Sequence, residues 1–161
     1  IGQYAHGNEP SHHTTYMYAY SGQPYKIADK VRYINNELYT DQPDGLSGNE
    51  DCGQMSAWYI FSSIGFYPVN PSNGAYVFGS PLFDNVEIDV PGRKKFTVKT
   101  VNNSDENIYI QSVFLNGKKY DYSYITHKQI TSGGELKFIM GSKPNYGFGV
   151  NKKYRPKSIV Y

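Results

Sequence analysis

The chain is poor in sulfur and in tryptophan, with one Cys, one Trp and three Met among 161 residues. A lone cysteine, Cys52, excludes an intrachain disulfide and leaves the redox compartment open. No run of about 18 apolar residues occurs, so no helix spans a membrane. Neither sign of charge dominates: 16 Lys and Arg stand against 14 Asp and Glu, and the net charge of +2 is too small to point to nucleic acid. The basic runs Arg93-Lys94-Lys95 and Lys152-Lys153-Tyr154-Arg155-Pro156-Lys157 read as a turn and a solvated tail. No signal peptide opens the chain, and Ile1 begins in mid-pattern without an initiator Met. The expectation is a fragment or processed piece, for which a missing signal carries no information about location. The length suits one or two small domains, and a compact chain of this size buries about 68–70% of its unfolded surface without staples.

Tyrosine is abundant, with 17 residues. Aromatic rings stack on the apolar faces of sugars, but they serve sheet surfaces and helix packing equally well. The surplus alone says little about a ligand.

The first part of the chain reads as helical. Pro10 suits a first helical turn, where its missing N–H costs nothing, and Ser21-Gly22-Gln23-Pro24 is a stop. From Tyr25 to Tyr39, residues Ile27, Val31, Ile34 and Leu38 form one helical stripe. Asp41-Gln42-Pro43-Asp44-Gly45 is turn chemistry. Met55 to Phe66 is apolar nearly all round, as in a helix buried on most sides. This chain offers few elements to bury it against, which independently favours a fragment.

The period then changes. Residues 68–74 carry Pro68, Pro71, Asn70, Asn73 and Gly74 and read as a linker. Beyond it, strands are predicted over 75–78, 86–90, 95–101, 107–115, 124–130 and 135–140. Asn116-Gly117 is the strongest hairpin turn signal. The pattern is α+β: helices over 1–67, then an antiparallel β-sheet or sandwich over 75–143, with a tail over 144–161.

Two polar clusters precede helical patterns. One is His6-Gly7-Asn8-Glu9-Pro10-Ser11-His12-His13; the other is Gly48-Asn49-Glu50-Asp51-Cys52-Gly53-Gln54. A rigid loop at a helix start can aim polar groups at a ligand. Acids there are also favoured simply by the helix dipole and as caps. A carboxylate and two imidazoles at Glu9, His12 and His13 allow a zinc site, although adjacent histidines on a helix diverge. Cys52, with no His-based triad around it, reads as a small buried thiol. His127 reads as surface, and Asn102-Asn103-Ser104 fits a glycosylation sequon.

HGNEPSHH, followed by GLSGNEDCGQMSAWYIFSSIGFYPVNP and by Gly79-Ser80-Pro81-Leu82-Phe83, resembles the closing part of the calcium-dependent exo-α-mannosidases of glycoside hydrolase family 92. The resemblance runs over about residues 1–143 and does not extend to the tail. It implies that 1–67 are closing helices of an (α/α)6 catalytic barrel, with a β domain packed on it. It also implies an inverting hydrolase that removes terminal α-linked mannose from a mannose-containing glycan. The missing N-terminal part would be a partner, and the location would be extracytoplasmic: periplasmic, cell-surface or secreted.

Inversion needs two carboxyl groups about 6.5–9.5 Å apart across the anomeric carbon. On the resemblance, Asp51 is the candidate general base and Glu50 the fallback. Neighbours in an extended backbone point apart, so one should face the site and the other elsewhere. Asn49 shares the face of Asp51 and is expected at the substrate. Family members can carry an acid there; Asn49 would then be a departure that puts a supporting carboxylate, though not the base, in doubt. Glu9 is the candidate calcium ligand, with Asn8 beside it, and the family's calcium holds two vicinal mannose hydroxyls. His6 is expected to contact sugar. The family's general acid lies upstream of these motifs, which implies that this chain alone is inactive. Two alternatives stay open: a carbohydrate-binding β module using Tyr109, Tyr120, Tyr122 and Tyr124, or a structural segment that completes a barrel.

Overall fold

The computed structural model describes residues 2–158. Three layers stack in order: helices, a three-stranded sheet and a five-stranded sheet. The helical layer holds α1 (Tyr25–Glu37) and α2 (Gln54–Ile64), preceded by two 3-10 turns, Glu9–Ser11 and Thr14–Ala19. Strands β1 (Phe66–Asn70), β2 (Ala75–Phe78) and β7 (Tyr124–Thr126) form the first sheet in the order β1-β2-β7. Strands β3 (Asn85–Val90), β4 (Lys94–Val101), β5 (Tyr109–Leu115), β6 (Lys118–Lys119) and β8 (Gly134–Gly141) form the second, in the order β3-β4-β8-β5-β6.

Strand periodicity explains the layering. In the β1–β2 pair, Phe66 lies opposite Phe78 and Tyr67 opposite Val77. Successive side chains point to opposite faces. Phe66 and Phe78 therefore join Phe96, Val98, Val113, Leu136 and Phe138 between the sheets, while Tyr67 and Val77 join Tyr16, Ile27, Val31, Ile34 and Trp58 under the helices. The α1 stripe is buried as its spacing predicts, with Ile27, Val31 and Ile34 all fully inaccessible.

Several local expectations are corrected. Residues 10–20 form 3-10 turns rather than an α-helix. Threonines and tyrosines lose side-chain freedom in an α-helix, and the threefold repeat stacks Tyr16 and Ala19 on one buried face. Residues 68–74 are no open linker: Pro68 sits in the edge strand β1, where a missing N–H is tolerated, and a 3-10 turn follows at Pro71–Asn73. The predicted strand 124–130 stops at Thr126, where a capping box starts a short helix, α3 (His127–Thr131): the Gln129 N–H donates to Thr126 Oγ1 while the Thr126 N–H donates to Gln129 Oε1. The larger sheet is mixed, because β4 and β8 run parallel. Asn116 and Gly117 form the β5–β6 turn, both with positive φ, as a type I′ hairpin requires.

The described part of the tail, 144–158, is packed. Phe148 enters the inter-sheet core, the Ser123 N–H donates to the Tyr154 carbonyl at 2.9 Å, and Arg155 donates to the Val150 carbonyl. Residues 159–161 of the predicted tail lie outside the described residues. The helix over α2 is also less enclosed than its composition suggests. Met55 and Trp58 are buried together with Ser62 and Ser63, while Ile60 is 56% exposed.

Candidate active site

The two polar motifs meet at a pair of glycines. A Cβ on Gly48 would lie 2.8 Å from both the Cα and the carbonyl oxygen of Gly7, and one on Gly7 would collide with the Ser47 carbonyl. Only side chains without a Cβ allow these two backbones to touch. The contact places Asn8 and Glu9 beside the loop of Asn49, Glu50 and Asp51.

That loop has an unusual backbone. Asp51, Cys52 and Gly53 have φ of 46°, 59° and 87°, three left-handed residues in succession directly before α2. Left-handed conformations disfavour residues other than glycine and cluster at functional sites. The two neighbouring acids consequently point to different partners. Glu50 turns onto α2 and accepts from the Ser56 N–H at 3.0 Å and from the Ser56 hydroxyl at 2.7 Å. Those bonds to its charged form hold its carboxyl below its ordinary pKa. Asp51 is exposed and faces Glu9. A hydrogen bond between the two carboxyls, and then the negative charge of Glu9, push the Asp51 carboxyl above its ordinary pKa.

Two carboxyl groups in contact need a positive charge between them, either a shared proton or a cation. Glu9 shows the same deficit from the other side: its Oε1 is buried without a hydrogen-bond partner. Asn8 and Asn49 are exposed beside the two carboxyl groups, and Asn8 makes no capping bond.

His6 and His12 lie beneath the loops. Their rings stack at 4.7 Å, and Trp58 meets His6 edge-on at 4.4 Å. The expected His6 contact with sugar does not fit this placement. The residue is 3% exposed, with Nδ1 bonded to the Tyr4 hydroxyl at 2.8 Å and Nε2 to the Tyr39 hydroxyl at 2.6 Å. Burial, then the neighbouring His12, lowers its pKa to about 4. The zinc arrangement is corrected too. Both ring nitrogens of His12 are spent, on the His6 carbonyl at 2.9 Å and on Gln54 Nε2 at 3.0 Å. Among the described residues, no three His, Cys, Asp or Glu side chains converge as a metal cluster. Cys52 is exposed, not buried, at a left-handed position of the loop.

Two grooves lie apart from Glu9 and Asp51. One, of about 490 Å³, is lined by Tyr4, Thr14, Thr15, Met17, Tyr18, Ser21 and Lys30. The other, of about 480 Å³, is lined by Tyr39, Asp41, Leu46, Ser56, Tyr59 and Ile60. The β-layer tyrosines divide: Tyr120, Tyr122 and Tyr124 cluster with Tyr154, whereas Tyr109 bonds Asp29 on α1 at 2.6 Å and stands apart. Sequence reasoning missed Gln54, Tyr39 and Tyr67, which bond across the chain to the histidines and to one another. Only their proximity to the motifs hinted at a part.

Comparison with known proteins shows the family to which this pair of acidic loops belongs. Residues 1–142 match the glycosyl hydrolase family 92 catalytic domain, and the chain belongs to that family. It is similar to the family GH92 α-mannosidase BT3965 from Bacteroides thetaiotaomicron, with 45% identity and a TM-score of 0.95 over 100% of this chain and 22% of that one. It is similar as well to the inverting mannosidase BT2199 of the same organism, with 43% identity and a TM-score of 0.91 over 98% of this chain and 21% of that one. An uncharacterized secreted glycosidase of Arthroderma benhamiae is 36% identical over 90% of this chain and 19% of its own length. The chain thus spans about a fifth of the length of these relatives.

Proposed function

We propose that this chain is part of a longer, extracytoplasmic exo-α-mannosidase, and that it contributes the general base and part of a calcium site. The observation that carries the reading is the meeting of Glu9 and Asp51 across the Gly7–Gly48 contact. In this reading Asp51 removes a proton from the water that attacks the anomeric carbon, and its left-handed backbone aims the carboxylate away from α2. Glu50 stays out of the chemistry because both of its oxygens are held by Ser56.

Calcium fits the residues present. Glu9 offers a buried oxygen with no other partner, Asn8 an exposed amide beside it, and Asp51 a facing carboxylate. Bound there, calcium would neutralise the paired acids and hold vicinal hydroxyls of the terminal sugar. Glu9 and Asn8 would hold it, while Asp51 keeps its proton-accepting role toward water. The general acid is assigned to the part of the enzyme outside this chain, as is the rest of the barrel that 1–67 would close.

The test is product stereochemistry in the parent enzyme. Inversion of an α-linked mannobiose releases β-mannose first, read by NMR before mutarotation. Chelation by EDTA abolishes release, added calcium restores it, and Glu9→Ala is not restored. First-formed α-mannose would overturn inversion, and full activity in EDTA would overturn the calcium site.

A further inference from the structure

The hydrogen bonds beneath the two loops have a fixed direction, because backbone carbonyls only accept. The Tyr39 hydroxyl donates to the Met55 carbonyl at 3.0 Å, so it accepts from Nε2–H of His6, whose Nδ1 accepts from Tyr4. His12 is fixed in the same way. Its Nε2–H donates to the His6 carbonyl, which leaves Nδ1 as a lone pair that requires a donor. Gln54 supplies it from Nε2 at 3.0 Å and donates equally to the Tyr67 hydroxyl at 3.0 Å.

The placement of these two residues is symmetrical about the acids. His12 lies three residues after Glu9, and its N–H donates to the Glu9 carbonyl at 2.9 Å. Gln54 lies three residues after Asp51, and its N–H donates to the Asp51 carbonyl at 3.3 Å. One turn further along the same face of α2, Trp58 Nε1 donates to the His12 carbonyl at 3.0 Å. The first two turns of α2 thus grip both the ring and the backbone of His12.

We infer that Gln54 is a positioning residue: its carboxamide donor locks His12 to α2 and so sets the spacing between the carboxyl groups of Glu9 and Asp51. The inference rests on the reading that these two acids share a working site. Gln54 acts through His12 and touches no substrate. The side chain has to be a donor of this length. Glutamate keeps a contact only by drawing a proton onto Nδ1, against the burial that lowers the His12 pKa, and methionine offers no polar hydrogen. A misplacement of about 1 Å in a catalytic group costs about 10²-fold.

The experiment uses the parent enzyme with Gln54→Met and Gln54→Glu. Each lowers kcat on an α-linked mannobiose by about 10–100-fold, while KM moves less than about threefold. Amide exchange quickens together in residues 7–12 and 48–53, and the His12 Nδ1 resonance shifts as its donor is lost. Both variants keeping kcat within about twofold, with those exchange rates unchanged, would overturn the clamp. Wild-type enzyme with no mannosidase turnover would instead strike the functional reading, and exchange in the two loops then decides the clamp alone.

Discussion

Gly7 and Gly48 pack backbone against backbone, with 2.8 Å between the position of a Gly48 Cβ and the Gly7 Cα. The contact is what turns two motifs some forty residues apart into one acidic surface. Gly48→Ala therefore destabilises by roughly 1–3 kcal/mol, the range for forcing atoms into a packed place, and separates the loops. Thermal unfolding and calcium titration of the parent enzyme check it, and an unchanged Tm with unchanged affinity would refute the contact.

The adjacent acids separate by function. Asp51→Asn in the parent enzyme lowers kcat by about 10²–10⁴-fold, the range for a lost general base. Glu50→Gln leaves kcat within a few-fold and lowers the Tm, because it loosens the grip on Ser56. Steady-state kinetics on both variants measure the difference, and the reverse ranking would reassign the base.

Arg32 is buried on α1 without a carboxylate partner among the described salt bridges. Its Nε donates to Ser80 Oγ at 3.0 Å, and its Nη2 to the Pro81 carbonyl at 2.5 Å and to Asn103 Oδ1. Arg32→Met strands those acceptors and costs roughly 1.5–3 kcal/mol. Urea unfolding gives the value, with a lowered midpoint and unchanged slope as the expected pattern.

Alkali unfolds the chain earlier than its net charge suggests. Burial raises the pKa of Tyr4, Tyr16, Tyr39 and Tyr67, and a bond to Asp29, then burial, raises Tyr109 to about 12. These phenols keep their protons in the folded chain above pH 10, where the unfolded chain releases them. Their contribution is present in full below pH 10 and is lost as pH rises toward 12. Tyrosinate absorbance and circular dichroism should change together in that window; tyrosinate formation without unfolding would contradict it.

On the proposed function, which assigns the general acid to the part of the enzyme outside this chain, the purified chain is expected to turn over no α-linked mannobiose. Sensitive detection of released mannose checks this, and turnover by the purified chain would show that the acid lies within it.

Much of this architecture is legible along the sequence. The α1 stripe, the Asn116-Gly117 turn and most strand positions follow from periodicity and turn chemistry, because such signals act between near neighbours. The motifs HGNEPSHH and GNEDCGQ identify the family for the same reason: they are contiguous. Less legible are the strand at Phe66–Asn70, masked by Pro68, and the short helix behind Thr126, whose capping box sits inside a β-rich run. The engaged ring nitrogens of His6 could not be read either: Tyr39 lies 33 residues away, and the nearby Tyr4 reaches the ring only through the local loop geometry.

Local order thus determined which residues could carry charge and where helices and strands begin. Only the tertiary structure decided which of them meet. Asp51 and Glu50 are chemically near-equal neighbours, and a run of three left-handed residues sends one to Glu9 and the other to Ser56. The reason is geometric: side-chain direction depends on backbone dihedrals, and those are fixed here by the Gly7–Gly48 contact and the burial of α2, both long-range.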